Sequence, residues 1–195
     1  MMTNPTIDIY GSFLAEEKPS TEYLTIVFSP SSLPLKDRWR THRLSASFLA
    51  DYFSTFAPSL QTNNLVDPES EIISSITFIA NELLENAMKF SQDIKEGSIT
   101  ISIRLYPNKL IFETENQVFE AQADKFKQFI TEVQENDPSA LYFQRIEQSA
   151  LDETGDESGL GILTIINDYA GQFAWKFEAL NDHHISVTSK VAIAI

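Results

Sequence analysis

The sequence predicts an α+β protein: a two-layer α/β sandwich with a mostly antiparallel sheet covered on one face by helices. Three observations predict it. Strand-like segments come in pairs, 5–13 with 22–30, a hairpin at 97–116, and 172–179 with 184–195. Helical stretches separate these pairs, in the order β-β, α, α, β-β, α-α, α, β-β, the pattern of paired antiparallel strands. The chain has 195 residues, 43% of them hydrophobic, which is enough for one domain with a substantial core.

"PTIDIYGSF" (5–13) and "EYLTIVFSP" (22–30) both read as strands, the second rich in β-branched and aromatic residues. The first is short and suits an edge strand or a hairpin partner of the second. Pro30 and Pro34 punctuate a loop. Residues 36–56 read as an amphipathic helix, with Trp39, Leu44, Phe48, Leu49, Tyr52 and Phe53 near one face and Pro58 past its end. In the helix at 68–90, Asp67 suits the N-cap, Pro68 the first position, and Glu69 and Glu71 the positive end of the dipole. Ile72, Ile76, Ala80, Leu83, Ala87 and Phe90 form its apolar stripe.

"GSITISIRLYPNKLIFETEN" (97–116) reads as a hairpin. Ile99, Ile101, Ile103 and Leu105 alternate, Pro107–Asn108 turns, and Leu110, Phe112 and Thr114 share a face of the return strand. Residues 121–135 and 138–151 are helical in pattern, and Asp137–Pro138 repeats the N-cap signal. "DETGDESGLGI" (152–162) is a glycine-rich acidic loop, and "ILTIINDYA" a short helix with Gly171 as its C-cap candidate. The expected division is an N-terminal strand extension at 1–35 and a domain at 36–195.

Composition excludes several functions. A net charge of −14 repels phosphate backbones and anionic bilayers, so neither nucleic acid nor membrane is an expected partner. No apolar run approaches a membrane span, and the opening "MMTNPTIDIYGSF" does not read as a secretory signal. Cysteine is absent, so disulfides and thiolate metal sites are excluded. A cytoplasmic location is the simplest expectation. Against the acidic background, "KDRWRTHR" (36–43) gathers Lys36, Arg38, Arg40 and Arg43, either as a solvated helix start or as a docking patch for an acidic partner. Asp182-His183-His184 sits at a turn and reads as a solvated loop.

Two stretches carry the chemistry. In "NELLENAMKFS" (81–91), Glu82, Asn86 and Lys89 fall at i, i+4 and i+7 along one edge of the helix. Asparagine is a poor helix former, and its amide oxygen suits Mg²⁺ shared with phosphate oxygens. A neighbouring carboxylate suits general-base work, and a lysine one turn on can neutralise phosphate. The plain alternative is a solvated face with an ordinary Glu85–Lys89 pair. Further on, four of the six glycines, Gly155, Gly159, Gly161 and Gly171, lie within seventeen residues, and "SGLGILTIIN" runs a loop into a helix N-terminus. Such a junction suits phosphate.

"NELLENAMKFS" resembles the N-box of the GHKL superfamily of histidine-kinase-like ATPases, and "SGLGI" (Ser158 to Ile162) resembles its second glycine box. "YAGQFAWKFE" looks like the strand that follows, and the resemblance covers about residues 36–195. It implies the histidine-kinase-like ATPase fold, with ATP and Mg²⁺ as cofactors. It also implies Asn86 as Mg²⁺ ligand, Glu82 as catalytic carboxylate and Lys89 at the phosphates. Ser158, Gly159, Leu160 and Gly161 would close over the β- and γ-phosphates. Residues 118–157 would form the ATP lid, with Phe126, Phe129, Ile130 and Val133 packed on Leu141, Ile146 and Leu151. The family's Asp-x-Gly-x-Gly motif is missing: "FETENQVFEA" stands there, with no glycine between Gly97 and Gly155. Strand alternation puts Asn116 where that aspartate would accept the adenine amino proton, and Glu115, on the other face, is the alternative.

A domain of this kind without recognisable sensor or phosphoacceptor segments is similar to the anti-sigma-factor serine kinases of partner-switching systems. The resemblance implies a Ser/Thr protein kinase whose partner is a STAS-type antagonist or sigma-like regulator. The rival expectation is a catalytically inactive GHKL-like module that regulates a partner by sequestration. Glu82, Asn86 and Lys89 favour the first, and the missing glycines favour the second. The N-terminal strands would extend the sheet or mediate homodimerisation.

Overall fold

A computed structural model describes residues 6–12, 20, 22–29, 35–56, 68–91, 94, 97–151, 159–181 and 183–195, without the side chains of 35–42, 68–69 and 149–151. Pro30, Pro34, Pro58, Asp67, Gly155, Ser158 and Asp182 therefore fall outside the described residues, as do the side chains of Lys36, Arg38, Trp39, Arg40 and Leu151.

The described elements are β1 (Ile7–Tyr10), β2 (Glu22–Phe28), α1 (Leu35–Ser54), α2 (Pro68–Phe90), β3 (Ile99–Tyr106), β4 (Lys109–Phe119), α3 (Glu120–Glu135), α4 (Pro138–Leu151), α5 (Leu160–Asp168), β5 (Gln172–Ala179) and β6 (His184–Ala194). The strands form one six-stranded sheet in the order β1-β5-β6-β4-β3-β2, antiparallel at every pairing. β4 and β6 make its centre and pair along their whole length, from Lys109 opposite Ala194 to Phe119 opposite His184. β1 and β2 do not form a hairpin with each other; they lie at opposite edges.

Period-2 alternation decides which face the helices cover. Ile101 and Ile103 of β3, Phe112 of β4 and Val191 of β6 share one face in register and belong to the main core. The opposite face mixes charged side chains with apolar ones such as Ile111 and Ala174. There Glu113 bridges Arg104 at 3.5 Å and Lys190 at 3.1 Å, and Lys176 pairs with Glu178.

α2 buries more than its predicted stripe: Ile79 and Leu84 are as buried as Ile76 and Ala80. The helix packs on α1 as well as on β3 and β4, so two of its sides are covered. α1 departs from expectation. Its buried side is Ala46, Leu49, Ala50 and Phe53, while Leu44 and Phe48 are 64% and 55% exposed. The small Ala46 and Ala50 lie on the contact line with α2, and helical geometry then places Leu44 and Phe48 on the far side.

Asp137 caps α4 as its sequence suggests, its Oδ2 accepting the Ala140 N–H at 2.9 Å. α5 starts at Leu160, two residues before the predicted start, so Gly161 lies in its first turn. At its far end the left-handed residue is Ala170 (φ 49°) and not Gly171. Gly171 is needed for close approach instead. Its N–H donates to the Ile165 carbonyl at 3.0 Å, and a Cβ there would lie 2.6 Å from Ile165 Cγ2.

Candidate functional site

The edge of α2 and the start of α5, remote in sequence, face one cleft of about 470 Å³. Glu82, Asn86 and Lys89 line it from α2, and Gly159, Leu160 and Gly161 from the other side. α3 adds Lys125, Phe126 and Phe129, and α4 adds Arg145. Two of these are unforeseen polar contributors: nothing in the local pattern marks Lys125 or Arg145, because each sits at an ordinary helix position. Arg145 is ion-paired with Glu132 and lies over the Phe129 ring, 5.4 Å from its centroid.

Glu82 and Gly161 are in direct contact. A Cβ at position 161 would collide with Glu82 Oε2 and lie 2.7 Å from its Cδ. The carboxylate thus rests against the first turn of α5, at the positive end of the helix dipole. Burial, and secondarily the charge of Glu85, nonetheless hold the Glu82 pKa above its ordinary 4.5. A carboxylate partly withdrawn from water in a cleft, with its pKa raised, has the character of a general base.

The two glycines are needed for different reasons, and substitutions separate them. Gly159 is the N-cap of α5 at φ 60°, and a Cβ there would lie 2.6 Å from the Phe129 ring. Gly159→Ala is expected to cost roughly 1–3 kcal/mol from the left-handed backbone and the ring contact together. At Gly161 the obstacle is the flexible end of Glu82, and alanine is the better helix former by about 0.8–1 kcal/mol. Gly161→Ala should change stability by less than about 1 kcal/mol while displacing the carboxylate. Urea unfolding of the two variants checks the contrast, and equal losses would count against it.

Beyond the cleft lies a second cavity of about 20 Å³, lined among others by Thr114, Asn116, Trp175 and Ser189. That is room for about one water. Asn116 points to the helix side and is 5% exposed. Its Nδ2 donates to Ser91 Oγ at 3.0 Å, which donates in turn to the Gln117 carbonyl at 2.8 Å. Glu115 points to the other face and accepts from Ser186 Oγ. Trp175 Nε1 is the one buried side-chain donor or acceptor without a partner among the described residues. Its inward direction follows from alternation with Phe173 and Phe177, but its role as a cavity wall needs the fold.

The segment read as a lid divides in two. Val118 and Phe119 still belong to β4, and α3 begins directly after them, with Gln122 Oε1 accepting the Phe119 N–H. α3 packs on the sheet through Ala123 and Ile130, in a cluster with Val118, Trp175 and Phe177. Val133 meets Leu141 of α4 and Leu163 of α5, while Ile146 stays 38% exposed.

These donors fit the implied cofactor only at one end. Magnesium bound with phosphate needs one or two protein oxygens, of which the Asn86 amide could supply one, and Lys89, Lys125 and Arg145 line the same cleft beside Glu82, Glu85 and Glu132. The inner cavity beside Asn116 does not fit a purine in this conformation. Among the described residues no three His, Cys, Asp or Glu form a metal-binding group.

Fold and cleft together define an α+β protein whose described residues form a six-stranded antiparallel sheet, five helices, and a polar cleft where α2 meets the start of α5. No protein-family profile and no curated protein sequence matches the chain. Its fold is similar to that of a chain in the crystal structure of the SiaB-SiaC complex from Pseudomonas aeruginosa, with a TM-score of 0.55 and 14% identity. The match covers 84% of this chain and 100% of that one. Among the described residues no helix is long and apolar enough to cross a membrane.

Proposed function

We propose that this protein binds ATP with Mg²⁺ in the cleft between α2 and α5, and acts as a cytoplasmic Ser/Thr protein kinase on a STAS-type antagonist in a partner-switching pathway. The observation that carries this reading is the contact of Glu82 with Gly161, which joins the two sequence boxes into one site. The fold likeness to a chain solved in a two-protein complex supports the partner-directed part. When bound, ATP supplies the phosphoryl group and Mg²⁺ neutralises its charge. Glu82 would orient or deprotonate the partner's hydroxyl, Asn86 would hold the metal, and Lys89 would balance phosphate charge. The start of α5, from Gly159 to Gly161, would present its positive end to the phosphates.

Calorimetry of ATP and ADP with Mg²⁺ tests the reading. The wild type should bind at or below about 1 mM, and Asn86→Ala should weaken Mg²⁺-dependent binding on the order of tenfold or more. Absence of binding to either nucleotide at millimolar concentration would remove it. One observation favours a second reading, a non-catalytic module that holds a partner by sequestration: the cavity beside Asn116 is only about 20 Å³. That reading expects partner binding that is indifferent to nucleotide.

A further inference from the structure

We propose that α3 is a latched plug in the cleft, with Phe126 and Phe129 filling its inner end and β1 holding the helix in place through the Asp8–Lys127 ion pair. The inference rests on the nucleotide reading only for the identity of what the plug keeps out.

The wall between the two cavities is made by four side chains that line both: Asn86, Phe90, Phe126 and Ile162. Phe126 is the hub of this wall. It stacks on Phe90 at 6.2 Å and on Phe129 at 6.4 Å, and meets Trp175 and Phe177 edge-on at 6.2 and 5.8 Å. Phe129 lies against Gly159, where the α5 turn begins. Both rings come from α3, so a shift of that helix would withdraw Phe126 from the wall and widen the way toward Asn116, with Asn86, Phe90 and Ile162 left in place. Trp175 Nε1–H faces this wall with no protein acceptor among the described residues, so the indole reports on whatever enters the inner cavity.

β1 holds α3 from outside. Lys127 Nζ donates to Asp8 Oδ2 at 2.6 Å and lies 5.2 Å from the centroid of the Phe177 ring. Tyr10 of β1 meets the same ring edge-on at 5.7 Å. β1 has four residues and, among the described residues, pairs only with β5, at the edge of the sheet. A short edge strand of this kind is among the first elements to open. The ion pair is partly exposed, 23% at Lys127 and 44% at Asp8, so salt weakens it. The latch is therefore weak enough to be released.

The test needs no ligand for its first arm. The sequence has two tryptophans, so a Trp39→Phe background leaves Trp175 as the sole reporter. In that background Asp8→Asn should raise hydrogen exchange of the α3 amides by about two- to fivefold, with a parallel rise in acrylamide quenching of Trp175. The charge swap Asp8→Lys with Lys127→Asp should restore both. Phe126→Ala should raise quenching further and tighten ATP binding by about threefold or more, because the competent state no longer has to displace the ring. Phe126→Leu serves if the alanine variant unfolds. Unchanged α3 exchange in Asp8→Asn and unchanged Trp175 quenching in the Phe126 variants would overturn the latch, whatever ATP does. If exchange and quenching respond but neither wild type nor variant binds nucleotide at millimolar concentration, the latch stands and the nucleotide reading falls.

Discussion

Glu82→Gln is expected to lower the proposed phosphoryl transfer by about 10²- to 10⁴-fold while making the protein more stable at neutral pH. The two effects share a cause. The Glu82 carboxylate is desolvated in the cleft and faces the like charge of Glu85, so its folded-state pKa lies above its ordinary value. Between the ordinary value and the raised one, the folded state binds more protons than the unfolded state. Stability therefore falls as pH rises through that window and stays lower above it. The amide removes the penalty without changing the shape. Because the carboxylate is only partly buried and solvent screens it, the gain should stay below about 1 kcal/mol, or at most about 2–4 °C in Tm, and should vanish as pH drops below the ordinary carboxylate range. Melting curves from acid to neutral pH, beside a transfer assay, check both halves. A variant that is less stable at neutral pH would show that Glu82 holds the fold and does not strain it. Retained transfer would remove Glu82 from the chemistry.

Phe112→Ala should lower stability by about 3–5 kcal/mol, a large share of the roughly 5–15 kcal/mol typical of whole domains. Phe112 is fully buried in the middle of β4, opposite Ile103 on one neighbour and Val191 on the other. It lies under the helices, and no small shift can fill the space it leaves. A fall in Tm of roughly 6–20 °C follows. Glu113→Ala, one residue along on the opposite face, loses its pairing with Arg104 and Lys190, worth about 1 kcal/mol or less in partly exposed pairs. Calorimetric melting of the two variants measures the asymmetry. Equal shifts would mean that the charged face of the sheet contributes to stability as much as the core face.

Much of the architecture was legible because it depends on neighbours in the chain. Alternation in 99–116 and the Pro107–Asn108 turn specify the hairpin, and Asp137–Pro138 specifies the start of α4. The 3.6-residue stripe of α2 places Glu82, Asn86 and Lys89 on one edge, and all three line the cleft. What failed depended on a partner surface. Leu44 and Phe48 belong to an amphipathic helix by pattern, yet only the contact with α2 decides that Ala46 and Ala50 face inward. Gly171 looked like a left-handed cap, but its requirement comes from Ile165 pressing on it.

By itself, then, the sequence determined the elements, the antiparallel α+β class and the residues that could form an anion- and metal-binding edge. Periods, caps and turns are local, and a few residues suffice to set them. The tertiary structure alone decided that Glu82 rests against Gly161, that β1 and β2 take opposite edges, and that α3 fills the inner end of the cleft with Phe126 and Phe129. Those outcomes depend on which apolar faces meet when the whole chain packs. A 3.6-residue stripe says that a helix will be covered, and says nothing of what will cover it.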